Sequence, residues 1–205
     1  MLGPKEKRER ALGMSLGLKA ERSGSPKSAL TRKPYKPGVH GPNGRPRALS
    51  EFGLQLREKS KFKLTYGVDE NNLKRLYGIA AKAKGSTGLK LLELLERRLD
   101  NVVYRLGFTP NRLSARQLVL HGHVIVNGKK VTSPGLSVNK GDVIAIKEAS
   151  AGNANIVARR EAMIGLDIPT WLALTPNKME GSVLGAPSDL NPPFEINLLV
   201  ESFSK

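Results

Sequence analysis

The chain has 205 residues, no cysteine, 34 lysines and arginines against 18 aspartates and glutamates, and a formal net charge of +16. That length allows one large domain or two small ones, and an apolar fraction of 39% allows cores of modest size. Disulfides and thiolate metal sites are excluded, and so large a positive excess points to a polyanion, nucleic acid before an acidic membrane.

The charge thins out along the chain: net +9 over residues 1–50, +6 over 51–113 and +1 over 114–205. The opening MLGPKEKRERALGMSLGL puts basic residues before a short apolar stretch. Gly13, Ser15 and Gly17 interrupt that stretch and Glu6 and Glu9 dilute the basic part, which fits neither a signal nor a transit peptide. No run approaches the roughly eighteen apolar residues of a membrane span. A soluble intracellular protein with no membrane partner is expected.

Residues 20–48 contain five prolines and four glycines among basic side chains. This rules out a long helix or a central strand and predicts an arm ordered by its partner. Ser50 can cap a helix that runs to Gly67, and Asp69 a second that runs to Gly85. Both carry a basic face, Arg57, Lys61 and Lys63 on the first and Lys74, Arg75, Lys82 and Lys84 on the second.

STGLKLLELLERRLDNVVYRLG then predicts one continuous helix from Ser86 or Thr87 to Gly107. Leu92, Leu95, Leu99, Val102, Val103 and Leu106 form its apolar stripe, with Glu93 and Arg97 as an outer i,i+4 pair. After the loop FTPNRL, Ser114 is the expected cap of a short helix whose Leu118 and Val119 face the previous one. His123 to Val126 reads as a strand, Asn127-Gly128 as a two-residue turn and KKV as the returning strand. A further turn at Lys140–Asp142 leads into a strand ending at Ile146, for a twisted sheet of three or four strands. ANIVARREAMIG is a possible helix; PTWLAL, MEGSVLG and NLLVESF look like strands or extended segments. Trp171 is expected to anchor a small core.

Catalytic and metal readings find little support in these residues. His121 and His123 are the one close histidine pair, His40 is distant, the next acid downstream is Asp142, and no cysteine completes a zinc set. No metal or other cofactor is expected. Arg98-Leu99-Asp100 resembles the catalytic aspartate motif of pseudouridine synthases, but the following NVVYRLG continues a helix where those enzymes turn, so Asp100 reads as a solvated acid or a partner of Arg97 or Arg98. Glu93, Glu96 and Asp100 share a surface with basic neighbours and nothing in the sequence desolvates them. Phosphate-loop, dinucleotide and nucleophile-elbow motifs are absent, and no small-molecule substrate is expected.

Binding remains. Arg112 in the loop, Ser114, Arg116 and Gln117 at the helix start, and His121, His123, Asn127, Lys129 and Lys130 on the hairpin could converge on structured RNA. Upstream, Lys5, Arg8, Arg10, Arg32, Lys33, Tyr35, Lys36 and His40 on the arm and Arg57, Lys59, Lys61 and Lys63 on the first long helix are candidates to neutralise phosphates.

At RLDNVVYRLGFTPNRLSARQLVLHGHVIVNGKKV the sequence resembles the small RNA-binding module named after ribosomal protein S-four. Such modules also occur in tRNA synthetases, pseudouridine synthases and a heat-shock RNA-binding protein. The flanks LGPK, PGVHG, LSEFGLQLREKSK, YGV, GSTGLKLLELLERRLDNVVYRLGF, PTWL, KMEG and LLVESFSK are similar, end to end, to the bacterial-type family of small-subunit ribosomal protein S-four. The resemblance implies an α+β fold: a basic extended N-terminal arm (1–48), a mainly helical domain (49–87 plus 169–205), and an inserted module (88–168) of two helices and a short antiparallel sheet. It implies a non-enzymatic primary binder of the rRNA 5′ domain that nucleates subunit assembly, resides on the cytoplasmic or an organellar ribosome, contacts ribosomal protein S-five in support of translational accuracy, and lines the channel through which mRNA enters. Arg45 and Arg47 are the carry-over candidates for touching mRNA. Some relatives hold zinc through four N-terminal cysteines; this chain has none, so RNA is expected to order residues 1–48.

Overall fold

The computed structural model describes residues 4–20, 22–44, 48–163, 165–188 and 194–204. Helices and one antiparallel sheet divide between two compact units, residues 1–88 with 192–205, and residues 89–191.

In the first unit, α1 (Lys5–Leu12) stops at Gly13, whose φ of 71° suits glycine. Glu9 is buried on α1, and its Oε1 accepts the backbone N–H groups of Leu16 at 2.8 Å and Leu18 at 3.2 Å. That carboxylate folds the chain back and puts Leu18 inside. Arg10 donates from Nε to the Lys33 carbonyl at 3.0 Å and from Nη2 to the Tyr35 carbonyl at 2.9 Å, which fixes the segment beyond α2 (Ala29–Arg32). Arg57 donates to the Leu12 carbonyl. The arm therefore has tertiary contacts of its own. Those contacts are made by Glu9, Arg10 and Arg57, polar side chains acting on backbone outside their own helix turn.

The helix expected after Ser50 is α3 (Glu51–Tyr66), with Ser50 Oγ accepting the Gly53 N–H at 3.3 Å. α4 (Glu70–Lys82) follows Asp69. NLLVESF, expected as extended, is instead helix α9 (Ile196–Ser204), packed on α3 and α4. Its apolar residues Ile196, Leu199, Val200 and Phe203 recur at helical spacing. Leu199 is fully buried, Phe62 meets Phe194 at 4.8 Å between centroids, and Tyr77 stacks on Phe203 at 4.8 Å.

The second unit carries most of α5 (Thr87–Glu96), then α6 (Leu99–Arg105), α7 (Arg112–Leu120) and α8 (Ala154–Ala162). The single helix expected over 87–107 is broken at Arg97 and Arg98. Arg98 is extended (φ −69°, ψ 139°), and the backbone there pairs with a distant segment. Leu99 N–H reaches the Leu136 carbonyl at 2.8 Å, Asp100 N–H the Pro134 carbonyl at 3.1 Å, and Val138 N–H the Arg97 carbonyl at 2.9 Å. All six residues of the apolar stripe are still buried. The Glu93–Arg97 pair forms at 3.2 Å.

The sheet runs β2-β1-β3-β5-β4, from β1 (Val124–Val126), β2 (Lys129–Val131), β3 (Val143–Ile146), β4 (Leu172–Thr175) and β5 (Glu180–Val183). Ile125 pairs with Lys130 and with Ala145, and Ile144 with Gly181. The sheet does not end at the boundary expected near 168: β5 hydrogen-bonds onto β3 and β4 onto β5, and both strands fall in the unit of residues 89–191. Gly181 is required because a Cβ there would lie 2.4 Å from Leu106 Cδ2. Trp171, 4% exposed, joins Leu99, Val103, Leu106, Val119, Val124 and Ile144 in the core under the sheet.

Candidate nucleic-acid interface

The loop before α7 ends at Asn111, and this residue, not Ser114, caps the helix: its Oδ1 accepts the Ser114 N–H at 2.8 Å. One of the helix-start amides is thereby engaged. Arg112, in the first turn, points inward. Its Nε donates to Asn101 Oδ1 at 2.6 Å, its guanidinium lies 4.5 Å from the Tyr104 ring centroid, and Nη2 is 3.9 Å from Glu96 Oε1. Arg116, one turn on, is half-exposed, with Nη1 3.5 Å from Asp100 Oδ2.

Below these arginines lie two carboxylates whose burial the sequence does not mark; of the two readings of Asp100, a solvated acid or a partner of Arg97 or Arg98, the pair with Arg98 forms. Asp100 and Glu96 are each 4% exposed at the side chain. Glu96 takes Arg105 in a two-pronged grip, Nε and Nη2 both at 2.9 Å, and also accepts from Asn101 Nδ2 at 2.7 Å. Asp100 takes Arg98 and Arg116. A carboxylate with this many cationic donors is held as an acceptor and orients them. No signal in the sequence marks this burial, because the helix break that creates it depends on residues 134–138.

At the far end of α7, Gln117 and His121 are exposed, one turn apart. His121 stacks on His123 with ring centroids 6.1 Å apart, and His123 Nδ1 lies 2.9 Å from Ser150 Oγ. The chain reverses at Gly122, at φ 71°, where a Cβ would sit 2.2 Å from Lys130 Cε. Lys130 thus lays its stem across a backbone that only glycine leaves open. This contact joins the end of α7 to the hairpin and sets Lys130 near His121. Lys129, exposed as well, leaves the opposite face of β2. Asn127 turns at φ 50° and is committed to the sheet: Nδ2 donates to Asp142 Oδ1 at 2.8 Å, and Oδ1 accepts the Val143 N–H at 2.9 Å. Among the expected contacts of this unit, Gln117, His121, Lys129 and Lys130 are exposed.

In the first unit, Arg32, Lys33, Lys36 and His40 are exposed, and Lys5, Arg8 and Tyr35 are half-buried, with Arg10 over the Tyr35 ring at 4.9 Å. Arg45 and Arg47 lie outside the described residues. The cations of α3 have internal partners. Lys59 meets Glu70 at 2.5 Å and the Phe203 ring at 3.9 Å, Lys63 meets Glu70 at 2.8 Å, and Lys61 meets buried Glu58. Partial burial would raise the Glu70 carboxyl, but the hydrogen bonds and charges of Lys59 and Lys63 outweigh it and hold it below the usual range. Glu93 is held low in the same way, by Lys90 and Arg97 against burial.

A break-linked helix pair, a capped α7 and an Asn-Gly hairpin carrying outward lysines suit the RNA-binding S4-domain class. Family models agree: "Ribosomal protein S4/S9 N-terminal domain" matches residues 1–96 and "S4 domain" residues 97–144. Small ribosomal subunit protein uS4 of Acetivibrio thermocellus is 46% identical over 94% of this chain and 93% of its own length. Protein uS4A of Alkaliphilus oremlandii is 48% identical over the same shares. Protein uS4 of Geotalea daltonii is 45% identical over 99% and 98%. The chain belongs to the uS4 family of small-subunit ribosomal proteins; it is a structural constituent of the ribosome and not an enzyme.

Proposed function

We propose that the protein binds the 5′ domain of small-subunit rRNA early and nucleates assembly there. The observation that carries this reading is the exposed set Gln117, His121, Lys129 and Lys130, presented by the end of α7 and the hairpin that follows it. A helix end beside a basic hairpin suits the phosphates, 2′-OH groups and shape of folded RNA. The basic first unit adds a second contact region in the same chain, which raises affinity through effective concentration. Ribosomal protein S-five, in support of accuracy, and mRNA, through Arg45 and Arg47, are further proposed partners that the family resemblance supplies.

A filter-binding salt titration with 5′-domain rRNA and tRNA as competitor tests the reading. Tight binding that survives excess tRNA is expected. Binding that tRNA abolishes would reduce the protein to a general polyanion binder.

A further inference from the structure

The chain holds two Asn-Gly pairs, Asn43-Gly44 and Asn127-Gly128. Asparagine is a thermolabile residue, and it is most labile before glycine, whose backbone nitrogen no side chain shields. The two pairs have the same chemistry but opposite surroundings.

Asn127 is held at three points. Its backbone N–H reaches the Val143 carbonyl at 2.9 Å, its Nδ2 donates to Asp142 Oδ1 at 2.8 Å, and its Oδ1 accepts the Val143 N–H at 2.9 Å. For the Gly128 nitrogen to reach the Asn127 Cγ, the side chain must leave both of its partners and the hairpin must distort. The hydrogen bonds that build the turn also block this attack.

Asn43 is exposed in a turn, and among the described residues none hydrogen-bonds to its side-chain amide. Its neighbours are fixed as glycine by the backbone. A Cβ at Gly44 would lie 2.8 Å from the His40 carbonyl oxygen, and one at Gly41 would lie 1.9 Å from that of Lys36. The turn therefore demands at position 44 the residue that leaves Asn43 open to attack.

We propose that Asn43 is a site of spontaneous deamidation in the folded protein and that Asn127 is protected from it. The Gly44 backbone nitrogen attacks the Asn43 Cγ and loses its proton. The new N–Cγ bond closes a cyclic imide, the Cγ–Nδ2 bond breaks, and the nitrogen leaves as ammonia. Water then opens the imide at either carbonyl and gives aspartate or isoaspartate. Either product places a carboxylate on the most basic part of the chain, and the isoaspartate also adds a methylene to the backbone of a turn with no spare room at Gly41 and Gly44.

The test incubates the full chain in mildly alkaline buffer at body temperature and follows both sites by proteolytic peptide mapping with mass spectrometry. Asn43 should deamidate at least tenfold faster than Asn127. In guanidinium chloride the two rates should converge, because unfolding frees Asn127. Equal rates in the folded chain, or an Asn43 that reacts only when unfolded, would overturn the proposal. An Asn127 that stays slow in denaturant would trace its protection to local sequence and overturn the lock. Cation exchange gives a second readout. The aged parent should yield an earlier-eluting acidic form that the Asn43→Gln variant does not yield, and its persistence in that variant would place the new charge elsewhere.

Discussion

Arg98 and Asp100 clasp each other two residues apart, Nη2 to Oδ2 at 2.7 Å and Nε to Oδ1 at 3.1 Å, with both side chains almost entirely buried. Such a pair is out of reach in a continuous helix, where side chains two apart lie on different faces. The extended Arg98 brings them together, and the N–H of Asn101 adds a bond to Asp100 Oδ1 at 2.9 Å. Asp100 is thus saturated with donors, and its resemblance to a catalytic aspartate ends at the tripeptide.

Removing one partner of a buried pair strands the other. Asp100→Ala should cost about 3–5 kcal/mol, whereas an apolar pair of similar volume at 98 and 100 should cost far less. Trp171, the single tryptophan, is buried in the same unit, so its fluorescence during urea unfolding reports on that unit. An unshifted midpoint for Asp100→Ala would show that Arg98 finds water or another acceptor.

Gly122→Ala should act on RNA through Lys130. The added methyl meets a positive φ and the lysine stem at 2.2 Å, so stability falls by about 1 kcal/mol and Lys130 is displaced. Filter binding should show a loss like that of Lys130→Ala, with little further loss in the double variant. Fully additive losses would separate the two residues.

Salt dependence should separate Arg112 from Arg116 and the lysines. Lys129→Ala and Lys130→Ala should each flatten the logarithmic salt slope by about one if each touches one phosphate. Arg116→Ala, half-exposed beside Asp100, should do the same. Arg112→Ala should chiefly destabilise the unit, because its contacts are Asn101, Tyr104 and Glu96. A slope changed by Arg112→Ala with no loss of stability would place that guanidinium on RNA.

Acid should loosen the first unit through Glu70. Its carboxyl is held below its ordinary value of 4.5, so the stability it contributes is full above that value and is lost as pH falls through the lower, folded one. Glu70→Gln should therefore be less stable than the parent at neutral pH and converge on it in acid. Circular dichroism melts from pH 7 to pH 3 would show parallel curves if Lys59 and Lys63 do not act through this carboxylate.

Much of the module was legible because its signals are local. Asn127-Gly128 specifies the turn, alternating aliphatics specify β1, and the amphipathic stripe names core residues that are all buried. What was illegible depends on distant segments. The break before α6 needs residues 134–138, the fourth and fifth strands need β3 already in place, and the seat of Glu96 and Asp100 follows from that break. The cations of α3 misled for a related reason. Sequence shows a basic face but not that Glu58, Glu70 and Phe203 come to lie against it. In α9 the helical period is present, but it shows only once Ile196 is read together with NLLVESF.

The discontinuity of the first unit has a consequence for vectorial synthesis. Leu199 and Phe203 lie more than a hundred residues beyond Phe62 and Tyr77, the residues of α3 and α4 whose unit they complete. The intervening unit holds all its strands and its own core between residues 89 and 191. On a growing chain it can close while α3 and α4 still wait for α9. The part of the protein made first is therefore sealed only after the part made second.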